Sequence, residues 1–447
     1  MKKVKSLLLS SALLFLGVSA LAGCGGDGKI HVTFWHTMGD DNEEVVKRII
    51  EKFNEIYPDV KIDQTMQGDY SAVYNKLNSA IPAGTMPQMA FCYPDHVADY
   101  LADSNAVINL DDYLKDPELK FTEEDGLESD FVEMYWDEGK HYLQSGTYSV
   151  PFAKSTEVMF YNVDFFNKYN LTVPTTWEET WTVCRQILKL KEDNPTDGTL
   201  KAIEYPLGYD SDSNLFITLC DQMGIPYTTN DNIKIEKDHV QFNNADAKAM
   251  ATEFVGYMKE GLFITKGGME NGAYTSTYFT EGKCVMSIGS TGGTSYQTTS
   301  NFQQAIAPVP TVHGTDADRY ISQGPSICFF KKGTEEQKKA AWNFYKFLVR
   351  TEFTAAYATR SGYEPVRKSA YQLESYKDYL NGGSLQAKVS KCTAQLNGRF
   401  YNSAVYSGSA LAREAVGGIF ANMFIRDQNV DKAFAEAYTT ATTGMDN

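Results

Sequence analysis

The chain has 447 residues, of which 43% are hydrophobic and 22% charged, and its formal net charge at pH 7 is −16. This apolar content is enough for a substantial core in two or three domain-sized units, which excludes a disordered protein. The acidic balance lacks the surplus of lysine and arginine that binds phosphate backbones, and therefore argues against a nucleic-acid-binding protein.

The N-terminus has the layout of an export signal. Three lysines among the first five residues precede an apolar run over residues 7–21, which is shorter than a typical membrane span. The run ends in Leu-Ala-Gly before Cys24, a pattern that resembles the lipobox of bacterial lipoproteins. We therefore predict a signal peptide over residues 1–23 and a lipidated cysteine with a flexible tether over 24–28. The alternative is an ordinary signal peptide with an incidental cysteine.

Removal of the signal takes away three lysines and no acidic residue, so the exported remainder is more acidic still. It contains no second run of eighteen apolar residues, which predicts an extracytoplasmic protein held at the cell membrane by lipid alone. Two interpretations remain open for the cysteines that follow, disulfide bridges or small buried side chains. These six are Cys92, Cys184, Cys220, Cys284, Cys328 and Cys392.

The first elements of the remainder alternate between strand and helix patterns. Residues 30–34 alternate apolar with polar, and Asp40 with Glu43 predicts a capping box before a helix whose apolar positions run over 45–56. The same order repeats with a strand at 60–62, a Gly-Asp turn and a helix from Tyr70, and a third apolar run covers 89–93.

Strands that alternate with helices predict a largely parallel sheet in an α/β fold. Ligands collect at the carboxyl ends of the strands in such sheets. This places His36, Thr37, Asp69, Tyr70 and Asp95 at one edge. For His36 we favour a packed or hydrogen-bonded residue over a ligand.

The second half of the chain continues the pattern. Val158 to Tyr161 form a strand candidate, and Thr176 can cap a helix in which Trp177 and Trp181 are expected to pack in the core. A further strand over 284–290 runs into a loop of small residues. Helices are also predicted from Leu215, over 245–261, over 334–348 and over 409–424.

Motifs of the common enzyme classes are absent from the sequence. There is no HExxH, GxSxG, P-loop or dinucleotide fingerprint, and the six histidines are dispersed, so no metal centre is predicted. Asp210, Asp212 and Asn214 imitate part of an EF-hand, but Leu215 stands where glycine is needed, which favours a polar loop. Abundant acidic residues leave an exported two-carboxylate glycosidase as an alternative.

Several motifs, taken in order along nearly all of residues 30–440, resemble the family-1 extracellular solute-binding proteins of ABC importers. The motifs are Phe34-Trp35-His36-Thr37-Met38, Tyr57-Pro58-Asp59-Val60-Lys61-Ile62, Gly68-Asp69-Tyr70, Pro151-Phe152 with Ser155-Thr156, Tyr161-Asn162, Glu281-Gly282-Lys283-Cys284-Val285-Met286 and Ser361-Gly362-Tyr363-Glu364-Pro365-Val366.

This resemblance implies a two-lobed periplasmic-binding-protein fold, type II-like, with a hinged ligand cleft between two α/β lobes. The first lobe is expected over residues 29–148 plus about 300–350, and the second over about 149–299 plus 351–447. The resemblance also implies a monomer that carries a small polar solute to the membrane subunits of an ABC permease, with no cofactor, no metal and no catalytic residues. Closure would be a hinge motion favoured by ligand contacts.

Within the family, the closest likeness is to members that bind sn-glycerol-3-phosphate. Carried over one position at a time, that pattern implies a ligand site of Tyr70, Ser155, Ser290, Gly324, Tyr363 and Arg413. Where the pattern has a glutamate after the third strand, this chain has Pro94 with Asp95 beside it. Asp95 is therefore the candidate for the hydroxyl contacts.

Arg413 bears most directly on the ligand, because a guanidinium offers a bidentate fork to phosphate. Its alternative role is to pair with Glu414 or another acid on the helix surface. Lys154 adds a second cation, either for an anion or exposed to solvent. Three functions stay open: transport of sn-glycerol-3-phosphate or a related phosphodiester, transport of a neutral mono- or oligosaccharide, and the exported glycosidase.

Overall fold

The structure is a computed structural model that describes residues 27–229, 237–269, 272–315, 318–396 and 398–445. The predicted signal peptide, Cys24 and most of the tether lie outside the described residues. Within the described ranges, no helix combines the length and apolar character needed to cross a membrane.

Twelve strands are present in the described residues, and most of them belong to two five-stranded sheets. They are β1 (Ile30–His36), β2 (Val60–Met66), β3 (Met89–Cys92), β4 (Val150–Pro151), β5 (Glu157–Asn162), β6 (Tyr205–Tyr209), β7 (Phe263–Thr265), β8 (Cys284–Ser290), β9 (Gln304–Pro308), β10 (Tyr320–Ile321), β11 (Ser326–Phe329) and β12 (Phe400–Tyr401).

The first sheet has the order β2-β1-β3-β11-β4, and the second has the order β7-β6-β8-β5-β9. In the first, β1 pairs in parallel with β2 and β3, while β11 runs antiparallel to its neighbours. In the second, β6 pairs in parallel with β7 and β8, while β5 runs antiparallel to β8 and β9. The prediction of largely parallel sheets therefore needs one correction: each sheet contains one reversed strand, because that strand enters from the other lobe.

The predicted amphipathic helices are confirmed, and shorter helices connect them. The helices are α1 (Asp40–Ile56), α2 (Tyr70–Ala83), α3 (Pro94–Asp103), α4 (Asp111–Lys115), α5 (Glu133–Asp137), α6 (Val163–Lys168), α7 (Trp177–Asp193), α8 (Gly198–Ala202), α9 (Asp212–Met223), α10 (Ala245–Lys259), α11 (Thr275–Thr280), α12 (Thr294–Gln297), α13 (Glu335–Leu348), α14 (Thr351–Ser361), α15 (Glu374–Leu380), α16 (Leu385–Gln395), α17 (Ser409–Ile425) and α18 (Val430–Ala441).

Two helix starts test the capping predictions. At α7, the Thr176 hydroxyl accepts from the Glu179 amide at 3.2 Å and the Glu179 carboxylate returns the contact, so the predicted cap is confirmed and forms a full box. At α1 the predicted capping box of Asp40 with Glu43 is wrong. The chain enters the helix one residue earlier, at Gly39, which has no side chain to cap with.

Each sheet lies inside its own apolar core. Around the first sheet, α1 and α13 cover β1 with a cluster that includes Phe34, Phe53 and Trp342. Around the second sheet, α7, α10 and α17 enclose a larger cluster. Trp177 and Trp181 are buried in it with stacked rings, which confirms their predicted core role. Two separate cores give the molecule its two lobes.

Three chain segments run side by side between the lobes. Ser155 pairs with Gln323 through backbone hydrogen bonds of 2.8 and 2.7 Å, and Lys154 pairs with Glu364 through bonds of 3.3 and 2.6 Å. These crossing segments, residues 152–157, 321–326 and 362–366, connect the two sheets. The predicted lobe boundaries themselves stay a prediction. Close to the boundary predicted at about residue 300, β9 (Gln304–Pro308) belongs to the second sheet.

All six cysteines of the described ranges are buried and unbridged. They occupy the apolar interiors of helices and strands, for example Cys184 on α7 and Cys284 on β8. Of the two interpretations open from the sequence, the structure therefore matches small buried side chains.

Candidate functional site

The crossing segments form the base of a cleft with two adjoining cavities. The wide cavity has a volume of about 860 Å³, and the small cavity has a volume of about 70 Å³. Tyr93 and Gln323 line both. The residues predicted from the sequence divide between them: Tyr70, Ser155, Ser290 and Tyr363 line the wide cavity, and Asp95, Gly324 and Arg413 line the small one. The fold thus collects all seven predicted positions at one cleft.

Arg413 lies in the second turn of α17, half-buried at the small cavity. Its Nη2 donates a hydrogen bond to Oδ1 of Asn214. Among the described residues it makes no ion pair, neither with Glu414 nor with another acid, so the alternative of a helix-surface pair is wrong. The guanidinium therefore keeps most of its five donors for a ligand.

Asn214 joins Arg413 to a buried polar network. Its Nδ2 donates to Oε1 of Glu157 at 2.7 Å, while the Tyr209 hydroxyl donates to the other carboxylate oxygen at 2.6 Å. Nε2 of Gln323 donates to Oδ1 of Asn214 at 3.0 Å. Burial raises the pKa of the Glu157 carboxyl to about 7, although its two hydrogen-bond donors and Arg413 oppose the shift. The network fixes the position of the guanidinium relative to the crossing segments.

Tyr70 is the first residue of α2, whose N-cap Asp69 accepts from the Ala72 amide at 2.8 Å. Its ring stacks on that of Tyr93, with centroids 4.2 Å apart. Tyr363 follows α14 and lies against Gly292, where an added Cβ would come within 2.4 Å of the ring. The cleft therefore has flat aromatic faces on the first-lobe side.

Ser290 and Gly324 shape the backbone of the cleft. The Ser290 hydroxyl accepts from the Gly292 amide at 3.2 Å and so caps the turn after β8. Gly324 has φ +104°, and a Cβ at this position would lie 2.3 Å from the carbonyl oxygen of Ala153. Only glycine permits this close approach of two crossing segments.

Asp95 is half-buried in the first turn of α3, directly after Pro94. Its Oδ1 accepts from the His96 amide at 3.1 Å. His36, by contrast, is fully buried, and its Nδ1 accepts from the Met38 amide at 3.1 Å, which confirms a packed, hydrogen-bonded role.

Lys154 fills neither role considered for it from the sequence. Its side chain is 1% exposed, and its Nζ lies 2.6 Å from Oε2 of Glu138 in a buried ion pair. This cation is therefore neutralised within the protein and is not offered to an anion.

The described residues contain no cluster of three or more His, Cys, Asp or Glu side chains that could hold a metal ion. The EF-hand likeness near residue 212 ends in a helix, because Asp212 is the first residue of α9 and Ser211 is its cap. The segment therefore presents polar side chains to the cleft without a calcium loop.

The family model for bacterial extracellular solute-binding proteins matches residues 48–381. The chain belongs to this family. This solute-binding protein is therefore extracytoplasmic and serves an ABC importer by carrying a small polar solute to its permease. Members of the family bind solutes and are not enzymes, so the glycosidase alternative is wrong.

One curated relative is the sn-glycerol-3-phosphate-binding periplasmic protein UgpB of Brucella abortus, which is 24% identical over 380 residues, 83% of each chain. Two solved structures share the fold. UgpB from Mycobacterium tuberculosis in complex with glycerophosphocholine has a TM-score of 0.72 at 19% identity, over 92% of this chain and 97% of that one. A substrate-binding protein from Listeria monocytogenes in complex with cycloalternan has a TM-score of 0.74 at 15% identity, over 93% and 99%.

Sequence reasoning about this solute-binding protein missed several cleft residues. Tyr93 ends a predicted strand and Asn214 lies in the predicted polar loop. Neither pattern indicated that the side chain faces the ligand cleft. Gln323 precedes the predicted Gly324. Tyr274 and Tyr296, at the rim of the wide cavity, are 55% and 76% exposed, and only the fold places them there.

Proposed function

We propose that this protein captures sn-glycerol-3-phosphate or a related phosphodiester of glycerol in its interlobe cleft and delivers it as a monomer to the permease. The observation that carries the proposal is Arg413, a half-buried cation that faces the small cavity and has no ion-pair partner among the described residues. A phosphate would supply that partner, with two parallel hydrogen bonds to the guanidinium.

Local groups have to attract the anion, because the chain as a whole is strongly acidic. Near Arg413 the backbone adopts a positive φ at Gly324, which also lines the small cavity, and successive amides in such turns bind anions. Ser155 and Ser290 bring hydroxyls to the adjoining wide cavity, and Asp95 lines the small cavity, where its carboxylate is our candidate to accept from the hydroxyls of a glycerol moiety. We assign these residues, with Tyr70 and Tyr363 as aromatic walls, to the ligand site.

The names of similar proteins support the same chemistry. The Brucella abortus relative is named for sn-glycerol-3-phosphate, and the Mycobacterium tuberculosis structure holds glycerophosphocholine. A cleft of about 860 Å³ lies in the range that encloses ligands larger than glycerol-3-phosphate, which favours a diester.

Calorimetric titration of the mature protein with sn-glycerol-3-phosphate and with glycerophosphocholine tests the proposal. Arg413→Ala should weaken phosphate binding by a factor on the order of 100, and Arg413→Lys by less, because the charge remains but the fork is lost. The matched control is Arg426→Ala, at the exposed far end of the same helix, which should change nothing. Unchanged affinity in Arg413→Ala would remove this residue from the site.

A neutral mono- or oligosaccharide is the second candidate ligand. It is favoured by the two exposed tyrosines at the rim, Tyr274 and Tyr296, whose faces could stack on sugar rings. Titration with maltotriose and mannotriose separates the candidates. Tight binding of a neutral sugar without any response to phosphate compounds would overturn the phosphate proposal in favour of this one.

We further propose that lipid on Cys24 anchors the protein to the cell membrane. Cys24→Ser in the full-length precursor should move the protein from the membrane fraction to the soluble fraction and abolish labelling by radioactive palmitate. Retention of both in the variant would contradict the anchor.

A further inference from the structure

Arg413 and the buried carboxylate of Glu157 contact opposite ends of one amide, the side chain of Asn214. Asn214 lies in the first turn of α9, is 3% exposed and lines the wide cavity. Its Oδ1 accepts from Nη2 of Arg413, and its Nδ2 donates to Oε1 of Glu157 at 2.7 Å. A cation and an acid that could neutralise each other are therefore separated by a neutral side chain.

A crossing segment holds this amide from a third side. Nε2 of Gln323 donates to Oδ1 of Asn214 at 3.0 Å, and Nδ2 of Asn214 donates to Oε1 of Gln323 at 3.1 Å. Oδ1 thus accepts two hydrogen bonds and Nδ2 donates two, which uses the full capacity of the amide. Asn214 therefore has no donor or acceptor left for a ligand and can act on one only through Arg413.

The groups at its two ends fix the orientation of the amide. If the amide were flipped, its NH2 group would face the N–H donors of Arg413 and its oxygen would face a carboxylate oxygen of Glu157, so neither contact would be a hydrogen bond. The other carboxylate oxygen is already occupied, because the Tyr209 hydroxyl donates to it at 2.6 Å. The hydrogen bonds therefore run in one direction, from the guanidinium through the amide to the carboxylate.

We propose that Asn214 determines the selectivity of the cleft for an anion, because it positions the guanidinium of Arg413 without neutralising it. The inference rests on the proposed function, since it takes Arg413 to be the group that binds phosphate. A carboxylate at position 214 would have the same shape and would accept the same hydrogen bonds at Oδ1. It would also neutralise the guanidinium, as Glu138 neutralises Lys154.

A double variant that relocates one negative charge tests the inference. Asn214→Asp with Glu157→Gln exchanges the amide and the carboxylate between the two positions. It keeps the net charge at about pH 8, where Glu157, with a pKa of about 7, is mostly ionised. The new amide at position 157 can donate to the new carboxylate at position 214 and still accept from Tyr209, so the network stays hydrogen-bonded.

Calorimetric titration at this pH measures the effect on two phosphate ligands. The double variant should bind sn-glycerol-3-phosphate at least about tenfold more weakly than the wild type, the size expected for the loss of a hydrogen bond between charged groups. Glycerophosphocholine should lose less affinity, because its phosphate carries about one negative charge instead of about two.

Two single variants assign the loss to position 214. Glu157→Gln alone should bind sn-glycerol-3-phosphate at least as tightly as the wild type, because the new amide oxygen can accept from Asn214 and a negative charge is removed. Asn243→Asp is the matched control and should change nothing, since it makes the same substitution at an exposed residue that lines neither cavity.

Thermal unfolding of each variant checks that the network is retained. A structural defect would weaken both ligands by the same factor, whereas a neutralised guanidinium weakens the more highly charged ligand more. The ratio of the two affinities therefore identifies the role of Asn214 even in a less stable variant.

The outcomes separate this inference from the function beneath it. If the double variant binds sn-glycerol-3-phosphate as tightly as the wild type, or loses affinity for both ligands equally, the selective role of Asn214 is overturned while the phosphate function stands. An equal loss in Glu157→Gln alone would overturn it as well. If the wild type binds neither phosphate compound, the proposed function is overturned and this inference with it.

Discussion

Two buried glutamates, one paired with a crossing segment and one within it, show how the same side chain can serve opposite purposes. Glu138, in a short turn after α5, is 5% exposed and forms an ion pair with Lys154 at 2.6 Å. Glu157, the first residue of β5, is 3% exposed and, within the described residues, accepts from two neutral groups, the Tyr209 hydroxyl and the Asn214 amide.

The difference decides which cation remains for a ligand. The ion pair with Glu138 neutralises Lys154, so the charge of this lysine contributes to the structure alone. Arg413 contacts Asn214 and is held one side chain away from Glu157, so its charge remains directed at the small cavity. A buried charge that is fully paired anchors the hinge region, whereas a charge held by a neutral amide stays available for recognition.

The largest effect is expected where the pair is broken. Lys154→Met leaves the Glu138 carboxylate buried without a cation, with the Ser326 hydroxyl as a neutral partner, and should lower the free energy of unfolding by about 3–5 kcal/mol. Chemical denaturation monitored by tryptophan fluorescence measures the change. The double variant Lys154→Met with Glu138→Gln should recover much of the loss, because no isolated charge remains. A double variant as unstable as the single one would show that packing, rather than charge pairing, stabilises the crossing segments.

Glu157 should instead give a pH dependence. Its folded-state pKa of about 7 lies above the ordinary value of 4.5, so the folded state holds the proton more tightly than the unfolded state. The stability it contributes is therefore complete below about pH 4.5 and is lost as the pH rises to about 7. Glu157→Gln cannot ionise and should reduce the fall in unfolding free energy over this window by roughly 3 kcal/mol.

Stability curves of wild type and Glu157→Gln across this window provide the measurement. Glu364, whose pKa burial also raises to about 7, remains in that variant and should leave a smaller slope. Parallel curves for the two proteins would mean that Glu157 ionises in the folded state as it does in the unfolded state.

Gly324 tests whether the crossing backbone, rather than the two charges, sets the spacing of the cleft. Gly324→Ala forces a Cβ into a left-handed conformation and against the Ala153 carbonyl. It should cost at least about 1–2 kcal/mol of stability and displace Gln323, which links the backbone to Asn214. Ligand affinity and thermal unfolding should both decrease. Gly261 also has a positive φ, but an added Cβ would meet open space there. Gly261→Ala is therefore the control that measures the cost of the backbone conformation without the steric contact.

The smallest effect is expected for an exposed ion pair, which gives the solvent-screened counterpart of Lys154 and Glu138. Arg185 and Glu260 lie 2.9 Å apart with about half of each side chain exposed. Glu260→Gln should change the unfolding free energy by only about 0.2–1 kcal/mol, and less in high salt. A loss as large as that in Lys154→Met would remove burial as the reason for the difference between the pairs.

The local elements were predictable because their signals are local. The spacing of hydrophobic residues predicted bounds close to the observed ones for four helices, α1, α2, α13 and α17, and for three strands, β1, β2 and β5. Capping chemistry was less predictable: Thr176 forms its box, whereas the N-cap of α1 is Gly39, one residue before the predicted Asp40.

The cleft residues were predictable only where a motif carried them. Tyr70 and Ser155 belong to motifs that resemble the family, Arg413 comes from the pattern of its sn-glycerol-3-phosphate-binding members, and the fold collects them with the other predicted positions at one cleft. Tyr93 and Asn214 have no such motif. Their importance comes from contacts with residues more than twenty positions away, a stacked ring and a guanidinium, and no sequence period records such contacts.

The sequence by itself determined the alternation of strands and helices, the apolar face of each element and the family to which the chain belongs. These follow from short-range periodicity and from motifs that need no partner. The tertiary structure alone decided which charges are neutralised. Lys154 and Arg413 look equally free in the sequence, but burial beside Glu138 pairs the first, and an intervening amide leaves the second open to the cleft. Charge pairing depends on distances in space, and only the packed lobes set those distances.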